Sequence, residues 1–338
     1  MSGVDLVVTG VGTVSADGFD FRTALGRRGY KYLPAASQYF LAAAKRALAA
    51  TGHDTLEAVV PEQRAAAVGT NSAAVALHHA MDRTVTGTGA DDLSPVTAPY
   101  FSINLFGSRL ATEHDLKGFN LTFTSPRVAG LEALQTGQRA VAAGRARWLL
   151  AGATEEALPE DEPGAERSEA GAVALVLEPA AAVAARGCRA LGRLGVRSFF
   201  LPPRVAASEH GAEQAAALLR DALDALGHRP GTPLTVTAVL DGSPVGEAVA
   251  VALDEKTFRD ERAFGEAKAF SDGKAFSDGK TERIPAGAGA LEPVARAAAA
   301  LDGPPGHAHA VVTAAAEGNT AVCLVTPGGI RGAEASSR

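Results

Sequence analysis

The chain has 338 residues, 46% of them hydrophobic, with 32 basic and 38 acidic side chains and a net charge of −6. This length and apolar content allow a large buried core and predict about two domain-sized units. The scattered basic residues exclude a nucleic-acid-binding surface, and no apolar run approaches the roughly 20 uncharged residues of a membrane span. The distant Cys188 and Cys323, without a charged-then-apolar leader, predict a cytoplasmic protein without disulfides.

The first predicted element is a buried strand at Leu6 to Ser15, closed by a tight turn at its glycines. Gly10 and Gly12 resemble part of a dinucleotide-binding loop, but the third glycine is missing and no helix pattern follows directly. We therefore predict no cofactor.

Later apolar runs alternate between strand and helix patterns, which predicts an α/β protein with largely buried sheets. Helices are predicted over residues 37–50, 132–143, 213–226 and 291–301. Strands are predicted over residues 148–152, 171–178, 191–200, 234–240, 309–314 and 321–325. The pattern restarts near residue 191, so we predict two similar halves, 1–190 and 191–326, and a flexible tail at 327–338.

One stretch repeats itself: the hexapeptide KAFSDG at Lys268 to Gly273 returns at once at Lys274 to Gly279. Ser-Asp-Gly is a turn-forming sequence, so the repeat predicts a surface loop, with a binding role as the less favoured interpretation.

The segment from Gly118 to Leu134 reads GFNLTFTSPRVAGLEAL and resembles the strand, nucleophile turn and helix of β-ketoacyl synthases. Further segments resemble that family in the same order along the chain. They are Val7 to Ser15, Gly144 to Glu156, Ser168 to Glu178, Ala184 to Gly187, Gly287 to Glu292 and Glu317 to Thr320. The resemblance implies the thiolase fold, in which duplicated halves form a five-layered α-β-α-β-α sandwich and two subunits pair.

The family's chemistry uses a cysteine thiolate and two histidines, and the resemblance implies that this chain lacks all three. Counting back from Gly130 places Arg127 in the cysteine position, and an arginine has no lone pair to attack a thioester. The segment VLDGSPVGE places Asp241 in the first histidine position, and Arg283 to Gly289 offers no histidine for the second. No catalytic residue is therefore predicted.

The eight histidines all lie outside those positions and are expected at the surface or in loops. They are His53, His78, His79, His114, His210, His228, His307 and His309. Neither the His78-His79 pair nor the pair at 307 and 309 has an accompanying metal-ligand pattern, so no metal site is predicted.

Within this fold, the stretch VAGLEAL up to Leu134 and the stretch APYFS at Ala98 to Ser102 resemble the chain length factor, the ketosynthase β-subunit of type II polyketide synthases. That resemblance implies a non-catalytic subunit in a heterodimer with a catalytic ketosynthase α-subunit. It also implies contact with an acyl carrier protein mainly through that partner, and an acyl tunnel whose walls control polyketide or polyene chain length.

Two sets of residues follow from this implied role. The candidates for the tunnel wall or gate are Ile103, Leu105, Phe106 and Leu110, with Phe199 and Phe200 as weaker ones. Ordinary core packing explains the first four equally well. The candidates for the dimer interface are Asn120, Leu121, Thr122, Phe123, Thr124 and Ser125, expected as a strand that pairs across a two-fold axis.

Arg127 would then lie near that interface, and a buried cation needs a carboxylate or carbonyl groups around it, from this chain or from the other subunit. Two alternatives remain open. One is a stand-alone degenerate thiolase-fold protein that binds acyl thioesters without condensing them. The other is an enzyme with relocated catalytic residues. Self-association without a ketosynthase would indicate the first, and acyl transfer by the isolated chain the second.

Overall fold

The computed structural model describes residues 5–52, 55–229, 232–254 and 281–328. The KAFSDG repeat and residues 329–338 of the expected tail lie outside the described residues. The strands of the described part are β1 Leu6–Ser15, β2 Arg64–Gly69, β3 Asn120–Phe123, β4 Trp148–Glu155, β5 Gly171–Pro179, β6 Gly192–Phe200, β7 Leu234–Leu240, β8 Thr281–Pro285, β9 Ala308–Ala314 and β10 Asn319–Pro327.

Helices connect these strands on both faces of the sheet. They are α1 Phe21–Ala24, α2 Ala35–Ala50, α3 Val75–Gly87, α4 Leu105–Glu113, α5 Ala129–Ala142, α6 Ala180–Ala185, α7 Pro203–Ala206, α8 Gly211–Ala225, α9 Pro244–Leu253 and α10 Leu291–Ala300. Among the described residues, none of these helices is both long enough and apolar enough to cross a bilayer.

The strand order is duplicated. The order along the sheet is β3-β2-β4-β5-β1-β6-β10-β9-β7-β8. Counted outward from the centre, the first half runs β1-β5-β4-β2-β3 and the second runs β6-β10-β9-β7-β8. Each strand of the first half therefore has a counterpart five strands later in the chain. In each half two pairs are parallel and two antiparallel, and the halves join through the single bridge between Val8 and Gly192. On this basis we propose residues 1–190 and 191–326 as the two halves.

Packing arranges the helices in three layers around the two half-sheets. Helices α5 and α10 lie between the halves and share one apolar cluster with both, including Leu131, Leu175 and Val311. Helix α2 covers the outer face of the first half, and α8 and α9 cover the second. This α-β-α-β-α order confirms the predicted α/β sandwich.

Two predicted strand ends were wrong, one too early and one too late, because hydrogen bonds to residues remote in sequence set them. Strand β4 continues past Gly152 to Glu155, because Thr154 and Glu155 are buried and hydrogen-bonded although they are polar. The strand expected over residues 120–125 ends at Phe123, because the carbonyls of Thr124 and Ser125 accept hydrogen bonds from the Asn71 side chain instead of a neighbouring strand.

The expected turn at Gly10 and Gly12 was also wrong, since both glycines lie inside β1. They bring the strand against α2: a Cβ on Gly12 would lie 2.0 Å from the Ala43 carbonyl oxygen.

We expect Gly12→Ala to lower the free energy of unfolding by about 1–3 kcal/mol, because backbone atoms of α2 must shift. Denaturant unfolding would measure the loss.

Gly87→Ala is the matched control, because a Cβ there meets no heavy atom within 4 Å. Alanine is also the better helix former, so this variant should unfold at the same or slightly higher denaturant concentration. Equal stability of the Gly12→Ala and Gly87→Ala proteins would contradict the close contact between β1 and α2.

Candidate functional site

Arg127 lies on a sharp turn between β3 and α5. Its φ of +59° is in the left-handed region, which costs a non-glycine residue about 1–3 kcal/mol and persists only where the surroundings enforce it. Asn71 enforces it here. The Asn71 side chain accepts from the Arg127 backbone N–H at 3.1 Å and donates to the carbonyls of Thr124 and Ser125 at 3.0 and 3.3 Å. One amide group thus fixes the whole turn.

The guanidinium of Arg127 reaches across to the second half of the chain. Its Nη2 lies 3.1 Å from Oδ2 of Asp241, which directly follows β7, and its Nη1 donates to the carbonyl of Gly287. The Arg127 and Asp241 side chains are 15% and 8% exposed, so the pair is mostly shielded from water. The other Asp241 oxygen, Oδ1, accepts from the Ser243 N–H at 3.0 Å.

The sequence predicted a carboxylate or carbonyls around a buried Arg127, and both are present. They come from this chain, so the arginine needs no partner subunit to balance its charge. The two positions that the resemblance matches to a cysteine and a histidine therefore form an ion pair across the two halves.

A second carboxylate also joins the halves, and it contacts Asn71, the residue that holds the Arg127 turn. Glu155 is fully buried at the end of β4 and accepts hydrogen bonds from the backbone N–H groups of Asn71, Ser72 and Ala290 at 2.7–2.9 Å. The hydroxyls of Ser72 and Thr70 also donate to it. Burial raises the Glu155 pKa, and these hydrogen bonds oppose the rise. The loop after β2 is thereby tied to the loop before α10.

A third carboxylate, Glu169, caps α10. It accepts from the N–H groups of Leu291 and Glu292 at 2.8 and 3.1 Å, which satisfies donors that a helix start leaves free. Burial raises the pKa of Glu169 from 4.5 to about 7, partly opposed by its hydrogen bond to the Glu292 N–H and reinforced by the charge of Glu155.

This pKa predicts how stability depends on pH. The folded chain holds the Glu169 proton more tightly than the unfolded chain, so this contribution is complete below pH 4.5 and is lost as pH rises through 7. We expect Glu169 to lower the free energy of unfolding by about 2 kcal/mol between pH 5 and 8. Urea unfolding across that range would measure the slope.

The matched variant is Glu169→Gln, which keeps an oxygen acceptor for the two N–H groups and cannot ionise. Its stability should exceed that of the wild-type chain at pH 8 and approach it at pH 5. A slope that is identical in both proteins would show that Glu169 is already ionised at pH 5.

Four of the described histidines contact groups elsewhere in the chain. His78 bonds to the Phe101 carbonyl, His79 lies beside Glu162, and His307 and His309 pair with the hydroxyls of Thr235 and Thr237. His53 lies outside the described residues. Across those residues no group of three or more His, Cys, Asp or Glu side chains is arranged to hold a metal ion.

The structure groups four of the tunnel candidates and separates the other two. Phe106 and Leu110 of α4 are fully buried, and the Phe106 ring centroid lies 5.6 Å from that of Phe40 on α2. Ile103 and Leu105 pack against the same cluster and are partly exposed.

Phe199 and Phe200 lie at the end of β6, in the other half of the sheet. Phe199 packs against the apolar cluster that α8 and α9 form with the second half of the sheet. Phe200 is 57% exposed. These two residues therefore share no surface with the α4 group.

The interface candidates lie on an edge strand. β3 is the first strand in the sheet order and pairs in parallel with β2 alone among the described strands. Asn120 and Leu121 are exposed, Leu121 by 40%, while Thr122 and Phe123 are partly buried. An unpaired edge with an exposed leucine can accept a further strand. Thr124 and Ser125 belong to the turn that holds Arg127.

Comparison with known proteins agrees with this architecture. The model of the β-ketoacyl synthase N-terminal domain matches residues 6–187, more than half of the 338-residue chain. The chain therefore belongs to the β-ketoacyl synthase family. No curated protein sequence matches it significantly.

Solved structures share the fold over nearly the whole chain. The ishigamide ketosynthase/chain length factor superposes with a TM-score of 0.70 at 19% identity, covering 96% of this chain and 100% of its own. A type II polyketide synthase acyl carrier protein in complex with its hexaketide-bound ketosynthase gives 0.70 at 17%, covering 96% and 99%. A β-ketoacyl synthase from Burkholderia phymatum gives 0.65 at 14%, also covering 96% and 99%. The chain has the thiolase fold.

Sequence reasoning missed Asn71, Glu155 and Glu169. One sequence signal pointed to Glu155: the acidic pair in TEE at 154–156 comes soon after the apolar run at 148–152. Asn71 and Glu169 carried none, because their partners are backbone groups of segments that are remote in sequence.

Proposed function

We propose that the chain is a non-catalytic chain length factor that pairs with a catalytic ketosynthase and shapes the acyl tunnel. The observation that carries this proposal is the Arg127–Asp241 ion pair. By the resemblance, a permanent cation stands where the nucleophile belongs and an anion where the first histidine belongs. Each neutralises the other, so neither is free to stabilise an enolate or attack a thioester.

The β3 edge supports a partnership. In the proposed heterodimer the Asn120-to-Phe123 strand pairs with its counterpart on the ketosynthase and covers Leu121. A growing apolar chain needs a dry slot, and close-packed side chains limit its length because core packing yields only at a cost. Helix α4 packs against this strand. The proposed wall is formed by residues on or just before that helix, namely Ile103, Leu105, Phe106 and Leu110.

Charge favours indirect contact with an acyl carrier protein. This chain has a net charge of −6, and an acidic carrier would be repelled by it. A more basic ketosynthase would be the better docking surface. The comparison structures include both a ketosynthase/chain length factor and a ketosynthase with its carrier, which is the kind of assembly we propose.

The test is co-expression with a ketosynthase encoded in the same gene cluster, followed by light-scattering mass measurement of the co-purified species and of this chain alone. A one-to-one complex with a chain that is polydisperse alone would support the proposal. A stable homodimer that ignores the ketosynthase would instead favour the stand-alone acyl-thioester-binding protein. Acyl transfer by the isolated chain would favour an enzyme with relocated residues.

Leu121→Asp makes this test more specific. A charge on the β3 edge should prevent strand pairing with the ketosynthase. Because Leu121 is exposed, the free chain should still fold with aspartate at this position. Val251→Asp is its matched control: Val251 is 45% exposed on α9, in the other half. The first variant should lose the complex and the second should keep it. Complex formation by Leu121→Asp would remove β3 from the interface.

A further inference from the structure

A cavity of about 390 Å³ lies at the far end of α5 from Arg127, between that helix, β6 and the end of α8. Gln135, the first residue of α5 to reach it, is eight residues beyond Arg127, roughly 12 Å along a helix. The cavity is therefore separate from the Arg127 site. It also joins the halves, since α5 belongs to the first and β6 and α8 to the second.

Two unpaired cations line this cavity. Arg139 of α5 and Arg197 of β6 are exposed, and neither contacts a carboxylate among the described residues. Arg193, also in the lining, is already bound by Asp5 through two contacts of 2.7 and 2.6 Å. The last turns of α5 and α8 bring roughly half a negative charge each. Two full positive charges outweigh them, so the cavity is positive.

The observation that points most directly to a ligand is the amide of Gln135. This side chain is 4% exposed and lines the cavity. Its Oε1 accepts from the Ser198 hydroxyl at 2.6 Å, but its Nε2 is buried without a hydrogen-bond partner. A buried donor left unpaired is costly, and native structures contain few of them. The Nε2 atom itself has almost no accessible surface, so a ligand acceptor in the cavity would satisfy it once the amide turns toward the cavity.

We propose that this cavity binds the phosphate monoester of a small molecule with an apolar body. A phosphate monoester carries about −1.5 to −2 charges at neutral pH and has several acceptor oxygens, which matches two guanidiniums and one amide N–H. Leu6, Leu194 and Leu226 line the same cavity and give the apolar body a surface. The site is independent of the proposed tunnel and of Arg127.

The test uses phenyl phosphate and inorganic phosphate as probes, titrated by calorimetry into the intact chain, or into the heterodimer if the chain requires it, at fixed ionic strength. We expect saturable binding of phenyl phosphate and weaker binding of inorganic phosphate. Arg139→Gln and Arg197→Gln should each weaken phenyl phosphate binding about tenfold or more, the usual value of a charge-assisted hydrogen bond.

Arg204→Gln is the matched control, because Arg204 is an exposed arginine on α7 outside the cavity lining. The double variant Gln135→Leu with Ser198→Ala is a second probe: it removes the unpaired donor and both partners of the hydroxyl–amide hydrogen bond, so the folded chain should keep its stability while binding weakens. Circular dichroism in phosphate-free buffer checks the fold of every variant.

Three results would overturn the proposal. One is a wild-type chain without saturable phenyl phosphate binding up to about 10 mM, a concentration at which even weak specific sites fill. Another is an equal loss in the Arg204→Gln control, which would indicate general charge attraction. Equal affinities for phenyl phosphate and inorganic phosphate would overturn the assignment to an ester with an apolar body.

Discussion

Replacing Asp241 with asparagine should lower the free energy of unfolding by about 3–5 kcal/mol, the usual cost of removing one partner from a buried ion pair. The substitution keeps the volume and keeps an acceptor for the Ser243 N–H, so the loss isolates the charge. It leaves the Arg127 guanidinium with the Gly287 carbonyl but without a counter-charge. Urea unfolding at pH 7 would measure the difference.

The double variant Arg127→Gln with Asp241→Asn decides whether charge pairing causes the loss. With both charges gone, two neutral side chains can still hydrogen-bond, so stability should return to within about 1 kcal/mol of the wild-type chain. Arg127→Gln alone should also be destabilising, because the Asp241 carboxylate would keep a single N–H donor. Additive losses in the double variant would contradict a direct pair.

The pair also explains how Arg127 can occupy the turn between β3 and α5. Arg127 pays for a left-handed φ and for partial burial, and both costs are offset only where Asn71 holds its backbone and Asp241 its side chain. The turn is then a joint between the halves. Under the proposed function, Arg127→Cys would lose that joint and place the thiol beside Asp241, so we expect no condensation from this variant.

The fold could be predicted from the sequence because two kinds of pattern indicate it: local apolar periodicity and the order of family-like segments along the chain. Apolar periodicity predicted α2, α5, α8 and α10, and the helix over 213–226 was observed as Gly211–Ala225. The order of family-like segments predicted the duplicated halves. Boundaries failed where tertiary contacts overrule the pattern: β4 runs through Thr154 and Glu155 because buried partners satisfy them.

The candidate site was predicted in part. Counting along two motifs selected Arg127 and Asp241 separately, and nothing in the sequence stated that they touch. Their contact depends on how β7 is placed against the start of α5, which is a property of the packed halves. Gln135 shows the same limit, because its unpaired amide follows from the packing of α5 against β6.

Phe106→Ala should lower the free energy of unfolding by about 3–5 kcal/mol, the range for a phenylalanine removed from a packed core. The Phe106 side chain is fully buried and packs on the ring of Phe40. Denaturant unfolding would measure the loss. Phe101→Ala is the matched control, because Phe101 lies nearby in sequence with its side chain 58% exposed, and its removal should cost little.

Phe106 is also a candidate for the tunnel wall. Its roles in core packing and in limiting the acyl chain can be distinguished with side chains of different volume. If Phe106 also limits the acyl chain, Phe106→Ala should lengthen the products of any heterodimer that still assembles. Phe106→Leu conserves more of the core and should cost less than about 1.5 kcal/mol, so its heterodimer should remain intact. Longer products from that variant would make Phe106 a gate. Unchanged products from a stable Phe106→Leu heterodimer would assign the ring to core packing, and Ile103 and Leu105, which are partly exposed, would become the residues to vary.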